Sequence, residues 1–405
     1  MINSWAAVSR ITGLFIAFIS IIGLHLCRAD SISAVKPESP AESEYRKGLT
    51  DLVKGDLNTA EAAFKQSLQL EPKQIISILG LADIAVRRGQ GKVAEEYLRR
   101  ALTLAPNSSE VQRAWGRYLY SQKKFVPAEA AFKKAIVSNP KSADPRVDLA
   151  DLYLKGLRNF PEAINTYKSA LALAPTLANA HYGLGVALAG VKQYSQALDS
   201  LSATLKAQPQ FTQAYLARGE IFEVTGENDK ALAEYAAALK ANPKFAQAHV
   251  KIGMIQERKK QTAEAEKSYL AAIELDSNQP IAYNNLAWAA AERRTRLDDA
   301  LMWANKAVEL APAAPEFQDT LGWVYRARGE LDKATSALQK AASAKPELAE
   351  VIYHLGVVYA ENGKTNDAEA TLRKALALKK DFAGADDARK RLNSLRGAQS
   401  VSPKP

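Results

Sequence analysis

The sequence predicts an all-α fold: a right-handed α-solenoid of about ten stacked helix-turn-helix repeats, closed by a C-terminal capping helix. Three observations carry this reading. The apolar runs all end in one slot, at Pro72, Pro106, Pro140, Pro175, Pro209, Pro243, Ser277, Pro312, Pro346 and Lys380, a spacing of 34 residues with two intervals of 35. A fixed period in this range marks a supersecondary unit that buries its apolar face only by stacking on its neighbours. Each period holds two helix-length segments with apolar or small residues at i, i+3, i+4 and i+7, separated by a polar turn that carries Gly55, Gly89, Gly226, Gly329 or Gly363 in five of the repeats. Finally, the first helix has Gly or Ala at one position in every repeat, from Gly48 to Gly356, and the second opens with Ala in all ten, from Ala60 to Ala368. Gly within a helix costs about 0.5–1 kcal/mol relative to Ala, so its recurrence requires close backbone approach.

The elements follow in chain order. Residues 1–29 read as a signal peptide: Ile11 to Cys27 is a run of 17 uncharged residues that breaks at Arg28, and cleavage after Ala29 removes the only Cys. An uncleaved signal anchor is the competing reading, since 17 residues is near the lower limit for spanning a bilayer. Leu24, His25 and Leu26 before Cys27 disfavour a lipoprotein signal, which needs a small residue there. Residues 30–40, with two Pro and several Ser, are expected to be a linker. The repeats occupy 41–380, and each opening Ala is followed four residues later by a larger filler such as Phe64, Phe132, Tyr167, Tyr235 or Tyr269. In the fourth and eighth repeats the extra residue is expected in the turn, near Lys155 to Phe160 and Ala291 to Leu297. Residues 381–397 should form a polar capping helix ended by Gly397, with 398–405 a disordered tail.

This pattern of period, small residues and closing Pro resembles the tetratricopeptide repeat family over residues 41–380. The RNA-binding pentatricopeptide class runs at 35 residues, an interval found here only twice. The resemblance implies that the first helix of each pair lines a concave groove that takes segments of partner proteins, chiefly through repeat positions 2, 5, 9 and 12. Carried onto this chain, those positions give Arg113, Arg117, Tyr120, Tyr182, Asn284, Trp288, Trp323, Arg326 and Tyr353 as candidate partner-binding residues. Trp, Tyr and Arg are the types that anchor interfaces. About half of the aromatics are expected to pack between repeats instead, Trp288 and Trp323 foremost. Tyr45 and Leu49 in the first repeat do not match the Lys and Asn of the chaperone-binding carboxylate clamp.

No phosphate-binding Gly loop, His-Glu-x-x-His or Gly-x-Ser-x-Gly motif occurs, and three of the four His lie on repeat helices, so the reading is non-enzymatic, with no cofactor and no metal. With 54 basic against 44 acidic residues the net charge is +10, concentrated in residues 75–140 (eleven basic, five acidic) and 379–405 (seven basic, three acidic). An anionic polysaccharide or membrane surface is one expected partner of that charge, and a solvated helix face is the plainer account. No nucleic-acid partner is expected. Tyr283 to Leu338 is similar to exported bacterial tetratricopeptide proteins of exopolysaccharide and PEP-CTERM loci. Together these readings predict an elongated, exported monomer, periplasmic or inner-membrane-anchored. It would act as a protein-interaction scaffold in exopolysaccharide synthesis or export. The alternatives are an anchored assembly factor for an envelope complex and a carbohydrate-associated secretion subunit.

Overall fold

The computed structural model describes residues 39–401, with side chains to 395, so the expected signal segment, most of the linker and the last four residues lie outside the described residues. The described residues are helical throughout, with no strand. They divide into two compact units, with the boundary between Ala217 and Arg218.

The N-terminal unit is a stack of five helical hairpins, each with a first (A) and a second (B) helix. These are α1 (Pro40–Lys54) with α2 (Leu57–Leu70), α3 (Ile75–Arg87) with α4 (Gly91–Leu104), α5 (Ser109–Ser121) with α6 (Phe125–Ser138), α7 (Asp144–Asp151) with α8 (Phe160–Leu173), and α9 (Ala178–Gly190) with α10 (Tyr194–Ala207). Helix α11 (Thr212–Val224) contains the boundary. The C-terminal unit continues with α12 (Asn228–Ala241) and the pairs α13 (Ala246–Arg258) and α14 (Thr262–Leu275), α15 (Pro280–Arg293) and α16 (Leu297–Leu310), α17 (Pro315–Ala327) and α18 (Leu331–Ala344), and α19 (Ala349–Glu361) and α20 (Thr365–Leu378). A single helix, α21 (Ala385–Val401), ends it.

Packing follows from the small and large positions. All ten opening Ala are buried. Phe64 of α2 is held between two A helices, since a Cβ added at Gly48 would lie 2.7 Å from its ring and one at Gly80 2.6 Å. Gly116 stands in the same relation to Phe132, at 2.6 Å. Larger side chains at these glycines would push the helices apart.

The A–B turns are built alike whether or not they contain Gly. Gly89 at φ 71° sends its N–H to Val86 O at 3.0 Å, and the next N–H, Gln90, reaches back to Ala85 O at 2.8 Å. Lys192 at φ 62° does the same, with Gln193 N–H to Leu188 O at 2.9 Å. This left-handed capping residue leaves the last A-helix carbonyls satisfied. Five repeats place Lys123, Arg158, Lys192, Lys260 or Arg294 in it, where an L side chain meets the following carbonyl. Lys192→Gly is therefore expected to stabilise the chain by about 0.5–1 kcal/mol, after the greater freedom of unfolded Gly is subtracted. Gly226→Lys should destabilise it by a similar amount, both read as shifts in urea midpoint.

Four details differ from the sequence reading. The extra residue of the fourth repeat is absorbed by a π turn, Leu152–Gly156, at the end of the A helix, where Leu157 N–H bonds to Leu152 O at 2.9 Å. That of the eighth lengthens α15 to 14 residues. Helix α21 runs through Gly397 to Val401, past the expected stop, because one interior Gly costs only about 1 kcal/mol. Pro40, placed in the linker, is instead the first residue of α1, capped by Ser39.

Candidate partner-binding surface

The candidate residues lie on A helices in two sets. In the N-terminal unit, Arg113 and Arg117 stand one turn apart on α5, and α7 of the next hairpin offers Asp144 and Asp148 to them. Arg113 Nη1 meets Asp144 Oδ2 at 3.0 Å and its Nε meets Asp148, while Arg117 places Nε and Nη2 on the two Asp148 oxygens at 3.0 and 2.8 Å. All four side chains are largely buried, at 10–21% exposure. The two guanidiniums expected to receive an acidic partner segment are thus already neutralised, and they pin one hairpin to the next. Tyr120 packs against Phe125 at 5.8 Å, and burial first, then the Asp151 charge, pushes its hydroxyl above the usual tyrosine range. Tyr182 lies on Phe211 at 5.0 Å.

In the C-terminal unit the second set converges. Trp288 of α15 stacks on Trp323 of α17, with ring centroids 5.8 Å apart and an interplanar angle of 12°. Trp323 is buried and donates its indole N–H to Glu292. The Arg326 guanidinium sits 4.2 Å from the Trp323 ring centroid and grips Glu361 of α19 through Nε at 2.8 Å and through Nη2. Next to Trp323, the His354 ring is 4.4 Å away, with Nδ1 at 2.9 Å from both Asp319 oxygens. Asn284 is buried on α15, its Nδ2 donating to Asn285 at 3.3 Å while Oδ1 has no partner. These A helices thus share an aromatic platform bordered by paired charges, with one buried amide oxygen left without a hydrogen-bond partner.

Tyr353 serves a different purpose. It is buried against Phe382 at 5.7 Å, and its hydroxyl donates to Asp387 of α21 at 2.8 Å, so it holds the terminal helix rather than facing a partner. Arg391 also bonds to Asp387. Burial pushes the Asp387 carboxyl up, but the Arg391 and Tyr353 hydrogen bonds outweigh it and hold the carboxyl below its usual range. A carboxyl with a depressed folded pKa stabilises the fold above its unfolded pKa and loses that contribution as pH falls through the folded value. Acidification below about pH 4 should therefore loosen α21 before the hairpins. Hydrogen exchange in α21 checks this, and Asp387→Asn should show the same loosening at neutral pH.

Sequence reading missed Asp144, Asp148, Asp319, Glu361 and Asp387. Their signal is present, because Arg113 and Asp148, Asp319 and His354, and Arg326 and Glu361 are each 35 residues apart, and Arg117 and Asp148 are 31 apart. One repeat plus or minus a few residues brings neighbouring A helices face to face.

Models of the tetratricopeptide repeat match residues 53–116, 159–191, 182–244, 225–280, 258–315, 322–363 and 349–382, together well over half of the chain. The chain belongs to the tetratricopeptide repeat family. Its array is similar to those of several solved tetratricopeptide-like structures. MamA shares 27% identity at a TM-score of 0.37, over 40% of this chain and 94% of that one. The APC/C hetero-tetramer Cut9–Hcn1 shares 15% at 0.48, over 87% and 96%, and yeast Tom70 15% at 0.42, over 90% and 97%. No curated protein matches the sequence of this tetratricopeptide chain. As a tetratricopeptide array it has the fold of a protein-interaction scaffold.

Proposed function

We propose that this protein is a non-catalytic scaffold of the bacterial cell envelope that takes a segment of a partner protein on its A-helix face, in the synthesis or export of an exopolysaccharide. The observation that carries the binding reading is the Asn284, Trp288, Trp323 and Arg326 cluster. Trp288, half-buried and stacked on the buried Trp323, offers an apolar face to a partner segment, with the Arg326 guanidinium beside the pair. Tyr120 and Tyr182 are separate candidate positions within the N-terminal unit. The envelope reading rests on the apolar run Ile11 to Cys27 and on the likeness of Tyr283 to Leu338 to exported repeat proteins. If the run is retained rather than cleaved, the same surface belongs to an anchored assembly factor.

The test is affinity capture from envelope fractions with wild type and with Asn284→Ala/Trp288→Ala. Loss of specific partners with the urea midpoint kept supports the reading, and unchanged capture refutes it. Recovery of the mature protein only from the cytoplasm would refute the envelope assignment separately.

A further inference from the structure

Stacking brings the A–B turns of successive hairpins to one edge, and that edge is basic. In the N-terminal unit the A–B linkers hold Arg88, Lys123, Lys124, Arg158 and Lys192 against one acidic residue, Asp56. The B–A linkers on the opposite edge hold Lys73 and Lys141 against Glu71. The charge is thus a property of one edge.

In the C-terminal unit, one residue in each of three A–B turns is answered from within the array, while Lys260, Arg294 and Lys364 are exposed without an ion pair among the described residues. The second residue of α12, α16 and α18 is Asp229, Asp298 or Asp332, and these take Lys259, Arg328 and Asn362 of the following turn at 2.5, 2.5 and 3.0 Å. The second residue of α4, α6, α8 and α10 is instead Lys92, Val126, Pro161 or Ser195. No carboxylate remains at that position. Lys92, Lys123, Lys124, Arg158 and Lys192 are exposed, and none of them forms an ion pair among the described residues, whereas Arg88 is held by Glu61 and Asn58.

Both backbone and dipole oppose these cations. Lys123, Arg158 and Lys192 occupy the left-handed turn slot, where Gly or Asn would be easier. Lys124 is the N-cap of α6 and Lys92 lies in the first turn of α4, at the positive ends of helix dipoles. The same edge also exposes aliphatic side chains, with Val126 at 76%, Leu157 at 40% and Val93 at 39%. Cations interleaved with aliphatic groups match a surface with phosphates outside and hydrocarbon beneath. A soluble polyanion would satisfy the charge but give Val126 nothing to contact.

We propose that the A–B turn edge of the N-terminal unit docks on an anionic bilayer surface, with Lys92, Lys123, Lys124 and Arg158 against lipid phosphates and Val93, Val126 and Leu157 in the headgroup layer. The full-length chain is tested by co-sedimentation with phosphatidylcholine vesicles with and without phosphatidylglycerol. The difference between the two lipids separates the edge from any binding through the apolar N-terminal run. Lys92→Glu/Lys123→Glu/Lys124→Glu should reduce the phosphatidylglycerol-dependent partition at least about a hundredfold, and Val126→Asp about tenfold. The control Lys134→Glu/Lys168→Glu/Lys206→Glu, with the same charge change on exposed B-helix positions, should stay within about twofold. Circular dichroism should be unchanged in all three, since every site is exposed. The proposal is overturned if phosphatidylglycerol adds no binding, if the control loses as much as the edge variant, or if Val126→Asp partitions like wild type. It is also overturned if dextran sulfate binds the edge while vesicles do not distinguish wild type from the lysine variant, which would assign the edge to a polysaccharide.

Discussion

Phe64→Ala is expected to cost about 3–5 kcal/mol, the largest effect of any single truncation considered. The ring is fully buried and fills the space between α1 and α3, whose Gly48 and Gly80 have no side chain with which to close the cavity. Helices held apart by a ring at glycine contacts cannot collapse onto the void without moving backbone. Because each hairpin touches only its neighbours, the loss should be local. Hydrogen exchange should show α1 to α3 opening early while α13 to α20 keep their protection. Val126→Ala, at a site 76% exposed, should move the urea midpoint hardly at all.

Asp148→Asn is expected to cost about 3 kcal/mol, because it strips countercharge from Arg113 and Arg117 at a contact where all three side chains are largely buried. The attraction in the pair is offset by desolvation, so removing all the charges is far less harmful than removing one. Arg113→Met/Arg117→Met/Asp144→Asn/Asp148→Leu, which removes all four charges, should recover most of the loss, as measured by urea unfolding. A recovery no better than the single variant would show that the guanidiniums have partners beyond the aspartates. Replacing Arg113, Arg117 and Tyr120 by Ala would strand Asp144 and Asp148, so that variant cannot separate binding from stability.

Much of the fold was legible because the repeat multiplies each weak signal. A Gly inside one helix means little, but Gly or Ala at one slot in ten repeats fixes where helices touch, and the fillers Phe64 and Phe132 stand opposite Gly48 and Gly116. The turn slot was legible only where it held Gly. Lys123, Lys192 and Lys260 adopt the same left-handed conformation, which no local propensity announces. The candidate surface was legible in position but not in state. Arg113, Arg117 and Arg326 were read one helix at a time and appeared as available cations, whereas their carboxylates stand on the next A helix. Tyr353 looked like its counterparts in earlier repeats until α21 covered it. Trp288 and Trp323 pack together between neighbouring repeats, yet they remain the seat of the proposed partner site. His354, taken as an ordinary helix side chain, is buried against Asp319.

The longest of the side-chain hydrogen bonds that join the hairpins, such as Arg113 to Asp148 and Arg326 to Glu361, connect residues 35 apart in sequence. Contacts this local keep loop-closure entropy small and the search for partners short. A hairpin emerging from the ribosome finds the partners for its own A helix once the first helix of the next hairpin has followed it. Assembly can therefore keep pace with synthesis, one hairpin at a time, without waiting for the C-terminus.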